Sequence, residues 1–137
     1  MKKVLILDFG GQYNLLIARR VRQSGVFCEI KSYRTPLAEI KAFSPDAVIL
    51  TGGPATVFDE GAPTIDKSVF EMGVPVLGIC YGMQLMVYTL GGDCRKADKR
   101  EYGKVLLNHV PSPLFKDVPD TSVCWMSHGV EVDSLPE

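Results

Sequence analysis

The chain has 137 residues, 46% of them hydrophobic and 23% charged, with a formal net charge of −1. That is the profile of one ordinary globular domain with room for a core, expected here over residues 1–137. Near-zero net charge leaves no electrostatic footprint for nucleic acid or an anionic membrane, and the apolar runs are strand-sized, too short to span a bilayer.

Met1-Lys2-Lys3 before an apolar run has the outline of a signal peptide, but the run breaks at Asp8 after four residues, so a cytoplasmic chain is expected. Val4–Leu7 is a continuous apolar stretch, as in a strand buried on both faces. It runs into Asp8-Phe9-Gly10-Gly11, a loop signal. Tyr13–Ser24 is an amphipathic helix, with Leu16, Ile17, Ala18 and Val21 set among Arg19, Arg20 and Arg22 and a stop at Gly25. Val26–Ile30 follows as a strand, Pro36–Phe43 as a short helix and Asp46–Leu50 as the third strand. Ile65–Met72 is predicted helical, and Val74–Ile79 is the fourth strand, with a helix from about Tyr81 to Leu90. Four strands alternating with helices imply an α/β fold: an open, mostly parallel sheet with helices on both faces.

Past Gly92 the pattern changes. Asp93–Arg100 is predicted as a polar connector and Lys104–Val110 as a strand. Val123–Met126 and Val130–Val132 are predicted as two short strands around Ser127-His128-Gly129. Strands so closely spaced suggest antiparallel additions at the sheet edge.

Chemistry concentrates at Gly78-Ile79-Cys80-Tyr81-Gly82, a G-x-C-x-G between strand and helix. It is the cysteine counterpart of the G-x-S-x-G nucleophile elbow. Side chains two residues either side of so sharp a turn would clash, hence the glycines. The apex residue is pushed out at a helix N-terminus, where unpaired N–H groups attract negative charge. A free cysteine is most often a small buried hydrophobe. The glycine pair frames Cys80 and none of Cys28, Cys94 or Cys124, which makes Cys80 the nucleophile candidate. Cys28 and Cys124 sit in strand-like segments and are expected to be inert, while Cys94 is expected near the surface. The four cysteines show no C-x-x-C and no clustering with histidine, which speaks against zinc and thioredoxin-like chemistry.

In an open parallel sheet ligands bind beyond the carboxyl ends of the strands. Asp8–Tyr13, Thr51–Thr56 and the Cys80 elbow all fall there. Gly52-Gly53-Pro54 could offer an N–H beside that of Tyr81, and two such donors form an oxyanion hole worth about 3–4 kcal/mol in a transition state. A proton acceptor must be one of two histidines. His109 lies in a strand-like run and reads as structural; His128 is the better placed, giving a Cys80–His128 dyad from the residues alone.

Taken together, ILDFGGQY (6–13), ARRVR (18–22), LTGGP (50–54), GVPVLGICYGMQLM (73–86), LGG (90–92) and WMSHG (125–129) resemble the class I (triad) glutamine amidotransferase domains. Within these, C-Y-G-M-Q, D-F-G-x-Q-Y and W-M-S-H-G favour the branch that serves GMP synthetases. The resemblance implies hydrolysis of glutamine to glutamate and ammonia through a Cys80 thioester. It implies oxyanion-hole amides at Gly53 and Tyr81. It also implies binding of the substrate's α-amino and carboxylate groups by Gln84 and by Ser127, His128 and Gly129. No cofactor or metal is implied in this domain. Its partner would be an ATP-pyrophosphatase domain or subunit that activates XMP with ATP and Mg²⁺ and takes up the ammonia.

Three departures stand out. The family's base and orienting acid lie in an H-P-E motif, and these 137 residues contain none. Gly11 stands where the pattern usually has serine, and Val130 where it has aspartate. His128 matches a different family position, so the resemblance argues against the dyad. The chain reads as the front part of an amidotransferase domain, carrying the nucleophile without its base and expected to be inactive alone. The alternatives are a non-catalytic regulatory or binding module, an amidotransferase for another ammonia acceptor, and a related cysteine hydrolase, against which Gln84 speaks.

Overall fold

The structure is a computed structural model that describes residues 2–108 and 110–135; for 96–102, 124–131, 133 and 134 it describes the backbone alone. The elements run β1 (Lys3–Asp8), α1 (Asn14–Gln23), β2 (Phe27–Ser32), α2 (Leu37–Phe43), β3 (Ala47–Leu50), a 3₁₀ turn (Lys67–Glu71), β4 (Val76–Gly78), α3 (Tyr81–Thr89), β5 (Asp93–Asn108), a second 3₁₀ turn (Pro113–Phe115) and β6 (Thr121–Ser134). The chain divides into two compact units. One is built from residues up to Cys94 with the last stretch of β6, and the other comprises Arg95–Glu131.

The first unit is a parallel sheet in the order β2-β1-β3-β4. β1 pairs with β2 from Lys3 opposite Phe27 to Asp8 opposite Ser32, and with β3 from Val4 opposite Ala47 to Leu7 opposite Leu50. Leu5, Ile6 and Leu7 are consecutive and fully buried, which only a strand covered on both faces allows. On one face Ile6 packs with Ala18 of α1 and Cys28 of β2. On the other, Leu5, Leu7, Val48 and Leu50 pack with Ile40 of α2, Val69 of the 3₁₀ turn, and Tyr81 and Leu85 of α3. The α/β architecture with helices on both faces is therefore as expected. Leu5→Ala should lower the unfolding free energy by about 3 kcal/mol, through lost burial plus the cavity left behind. A urea titration reads this directly, and a loss below about 1 kcal/mol would show a core that collapses around the gap.

Several boundaries differ from the sequence expectation. The helix expected over 65–72 is only the five-residue 3₁₀ turn. Asp66 caps it by accepting the Ser68 N–H at 2.8 Å, and Gly73 ends it at φ +76°, leaving no room for an α-helix. That N–H, then the Ser68 side chain, and the charge of Lys41, hold the Asp66 carboxyl below its ordinary value. β5 begins at Asp93, so the expected polar connector is strand. The two short strands expected around 127–129 are one continuous β6. β5 and β6 pair with each other in a separate two-stranded sheet, not at the edge of the parallel one. Lys, Asp and Gly are poor strand formers, but pairing along a long ribbon overrides local preference. No described helix is long and apolar enough to cross a membrane.

Candidate active site

The sheet order makes β1 and β3 neighbours whose chains then leave in opposite directions, β1 towards β2 and β3 towards β4. That is the topological switch point, where a crevice opens beyond the carboxyl ends. The loops that follow these strands meet Ile79 and Cys80 there, around a cavity of about 360 Å³. Gly10–Asn14 supplies one wall and Thr51–Pro54 another. The convergence of three loops read from the sequence is thus realised. A larger hollow of about 530 Å³, lined by Lys41, Ser44 and Glu71 among others, shares no residue with it. Pro45 and Val74 place that hollow before the N-terminal ends of β3 and β4, the wrong end of a parallel sheet for chemistry.

Cys80 is the hinge between β4 and α3. Its φ of 53° and ψ of −115° are sparsely populated by L-residues, and its side chain is exposed. The flanking glycines show why the turn can be so tight. A Cβ on Gly78 would stand 2.7 Å from Met83 Cα, and one on Gly82 would collide with the Leu50 carbonyl oxygen. The Gly82 N–H donates to Thr51 O at 3.1 Å and the Ile79 N–H to Leu50 O at 2.9 Å, so the elbow is stitched to the end of β3. Thr51, fully buried, extends the stitching to β1: its Oγ1 donates to Leu7 O at 3.0 Å and accepts the Phe9 N–H at 3.4 Å. Sequence reasoning missed this role of Thr51; its only signal was a hydroxyl residue at a strand end before paired glycines.

Gly52 lies against Cys80, for a Cβ there would be 3.2 Å from Cys80 Cβ and 3.9 Å from its Sγ. Gly53 lines the same cavity. Among the described residues, neither the Gly53 N–H nor the Tyr81 N–H has an acceptor. Gln84 is one turn along α3, its N–H donating to Cys80 O at 3.1 Å. It does not line the cavity, and its Oε1 is buried with no partner among the described residues. Ser127, His128 and Gly129 fall inside β6, in the other unit, and their side chains, like all of His109, lie outside the described residues. The Cys80–His128 dyad therefore has no geometry to report.

Cys28 is buried, donating weakly to Ala18 O at 3.5 Å. Cys94, expected near the surface, is also buried, with Sγ 3.9 Å from Gln84 O. Burial, then the Asp93 charge, pushes its thiol up and away from reactivity.

The Tyr81 ring is held in the core, 5.6 Å from Phe9, which itself stacks on Tyr33 at 5.4 Å. Its hydroxyl donates to Pro63 O, tying the long β3–β4 connection to the elbow. Burial, with the charges of Asp59 and Tyr33 adding, raises the Tyr81 phenol above its ordinary value of 10.0. Because the folded value exceeds the unfolded one, this contribution is complete below pH 10 and fades as pH rises through the folded value. Tyr81→Phe should lose about 1 kcal/mol at pH 7 and show a correspondingly shallower loss of stability above pH 10. Urea unfolding at both pH values tests this; parallel curves for the two proteins would refute it.

The glutamine amidotransferase class-I family model matches residues 5–137. The chain is 56% identical to the glutamine-hydrolysing GMP synthase of Caldicellulosiruptor saccharolyticus over 98% of its own length and 26% of that protein. It is 55% identical to that of Ruminiclostridium cellulolyticum over the same shares. The chain thus spans about a quarter of the length of these curated relatives. Among solved structures, a candidate GMP synthase subunit from Thermoplasma acidophilum superposes with a TM-score of 0.83 at 27% identity, over all of this chain and 69% of the other. A glutamine amidotransferase of Thermotoga maritima shares the fold with a TM-score of 0.71 at 22% identity, over 98% of this chain and 63% of the other. With its parallel sheet, its cysteine elbow and a family match over almost its whole length, this chain belongs to the class I glutamine amidotransferases.

Proposed function

We propose that the chain is the glutamine-hydrolysing part of a GMP synthase. The observation that carries the chemistry is the exposed, strained Cys80 facing a cavity between two glycine-bearing loops. The Cys80 sulfur attacks the side-chain amide carbon of glutamine. As the C=O bond opens, the charge gathering on oxygen is received by the N–H groups of Gly53 and Tyr81, both without other acceptors among the described residues. The C–N bond then breaks, the nitrogen takes up the proton given up by the Cys80 thiol and leaves as ammonia, and water hydrolyses the resulting γ-glutamyl thioester to glutamate and the free thiol. Gln84 is assigned to the substrate's α-amino and carboxylate groups by its match to the family motif; its Oε1 has no partner among the described residues, so turning the side chain towards the cavity would break no hydrogen bond at that oxygen.

The ammonia is used by an ATP-pyrophosphatase partner that activates XMP, with ATP and Mg²⁺ belonging to that partner. Similarity to two GMP synthases above 50% identity supports this acceptor over others. Since the 137 residues contain no H-P-E, the chain by itself is expected to be modified at Cys80 yet to turn over glutamine very slowly. The test is glutamate release from glutamine, beside mass-spectrometric detection of a Cys80 adduct with a glutamine-like electrophile and a Cys80→Ser control. Adduct without sustained release agrees with the proposal. Steady, Cys80-dependent release would mean that another group of this chain serves as the base. A chain that forms no adduct would favour the non-catalytic module.

A further inference from the structure

Thr51 is where β1, β3 and the elbow meet, and its hydrogen bonds depart from those of a plain parallel ladder. β1 and β3 pair up to Leu7 opposite Leu50, and the Thr51 N–H still donates to Leu7 O at 3.2 Å. In a continuing parallel ladder the Thr51 carbonyl would next accept the N–H two residues beyond Leu7, that of Phe9. It accepts instead the Gly82 N–H of α3 at 3.1 Å. The Phe9 N–H goes to Thr51 Oγ1 at 3.4 Å, and that hydroxyl donates to Leu7 O at 3.0 Å. The side chain thus stands in for the carbonyl that the elbow has taken. Oγ1 is also 3.4 Å from Gly52 O, the carbonyl of the peptide unit that carries the Gly53 N–H. Phe9 O in turn abuts Gly53, so that a Cβ there would collide with it. Thr51 is 1% exposed, which leaves bulk water no access to replace its hydroxyl.

We infer that Thr51 is a positioning residue for the oxyanion hole: its hydroxyl takes the Phe9 N–H, which leaves its carbonyl to fix the elbow and sets the spacing between the two donors. The Gly53 N–H lies two residues after Thr51, and the Tyr81 N–H belongs to the residue before Gly82. Both donors are thereby referred to one side chain. The inference rests on the proposed oxyanion role of the Gly53 and Tyr81 N–H groups. Valine at position 51 keeps the shape of the side chain and loses its acceptor. The Phe9 and Gly82 N–H groups then compete for one carbonyl, and the two donors lose their relative alignment. Serine keeps the hydroxyl and with it the arrangement.

Two reagents separate alignment of the donors from access to the sulfur in the 137-residue chain. The γ-p-nitrophenyl ester of glutamate acylates Cys80: the S–C bond forms, the C–O bond breaks, the thiol proton passes to solvent and p-nitrophenolate departs with its electron pair. Negative charge passes through the carbonyl oxygen on the way, and no general acid is needed. Iodoacetamide alkylates sulfur by displacing iodide, with no charge gathering on a carbonyl oxygen; its rate is read by mass on the Cys80 peptide. Thr51→Val should slow single-turnover p-nitrophenolate release, counted above a Cys80→Ser background, by roughly 10- to 100-fold, since deleting one oxyanion donor outright costs about 10²–10³. The iodoacetamide rate should stay within about twofold, because it follows thiolate character and access. Thr51→Ser should recover the ester rate to within about threefold of wild type, since the hydroxyl is retained. Should Thr51→Val fail to fold, Thr51→Ala against Thr51→Ser isolates the same hydroxyl by a smaller change. An ester rate in the folded valine or alanine variant equal to that of the serine variant overturns the inference, and so does an equal fall with both reagents. In either case a wild-type chain that still prefers the ester leaves the oxyanion reading standing. If the folded wild-type chain shows no preference for the ester over iodoacetamide beyond that of the urea-unfolded chain, the oxyanion role of Gly53 and Tyr81 fails, and the inference with it.

Discussion

Gly82→Ala is expected to destabilise the chain by about 3 kcal/mol and to abolish selective modification of Cys80. In an isolated helix the exchange would be favourable by about 1 kcal/mol, because alanine is the better helix former. Here the added methyl falls on the backbone of β3: besides meeting the Leu50 oxygen, it would lie 2.6 Å from both Leu50 C and Leu50 Cβ. None of these atoms can move without breaking the register of β3 with β1, in which Leu50 faces Leu7. Overpacking of a well-fitted interior costs about 1–3 kcal/mol, and this site is at the upper end because the obstacle is main chain. The α3 N-terminus must lift away, taking Tyr81 out of the core and Cys80 off the cavity. Gly25→Ala is the informative comparison: Gly25 has φ +80° but nothing within 4 Å, so it should lose only about 1 kcal/mol and leave Cys80 untouched. Urea unfolding and iodoacetamide kinetics on the two variants give the contrast. Equal behaviour would mean that α3 does not dock on β3 as closely as the elbow geometry requires.

Replacing Cys80 with glycine is expected to do two opposite things, ending all chemistry while raising stability by about 1 kcal/mol. A residue with a Cβ held near φ 53°, ψ −115° costs about 1–3 kcal/mol. Glycine relieves that strain, and its extra freedom in the unfolded chain takes back about 0.4–1 kcal/mol. The exposed thiol contributes little packing to be missed. Cys80→Ala is the necessary companion, since it deletes the sulfur and keeps the strained backbone; it should be as inactive as the glycine variant but no more stable than wild type. A gain of about 1 kcal/mol in a chain of this size raises Tm by about 3–4 °C. Glycine and alanine variants of equal Tm would show that the elbow stores no strain.

How much of the fold and the site is legible in the sequence depends on the range of the interactions concerned. The strands β1 to β4, the helices α1 to α3 and the elbow are readable because each is written locally. Leu5-Ile6-Leu7 is a continuous apolar run, α1 has a helical apolar stripe closed by Gly25, and Gly78 and Gly82 flank Cys80 at fixed spacing. The 3₁₀ turn at Lys67–Glu71 reads as a full helix in the sequence because its apolar spacing is helical, whereas the segment between the Asp66 cap and the left-handed Gly73 is only about two turns of 3₁₀ helix long. β5 and β6 read as fragments because charged residues and the Ser127-His128-Gly129 interruption weaken local strand preference. Their continuity comes from pairing between strands.

The sequence by itself determined which cysteine stands at the glycine-framed elbow, the alternation of strand and helix, and the loops that would gather at the carboxyl ends of the sheet. These are properties of spacing, and spacing is carried by the covalent chain. Only the tertiary structure decided that Thr51 joins β1, β3 and the elbow through its hydroxyl and backbone, and that the Tyr81 ring is a core residue tied to Pro63. It also decided that Gly11 touches the peptide of Gly52 and Gly53. Each of these contacts joins residues from 18 to more than 40 positions apart. They exist because parallel pairing brings the ends of β1, β3 and β4 together, and a close approach between backbones has no signature in either segment alone.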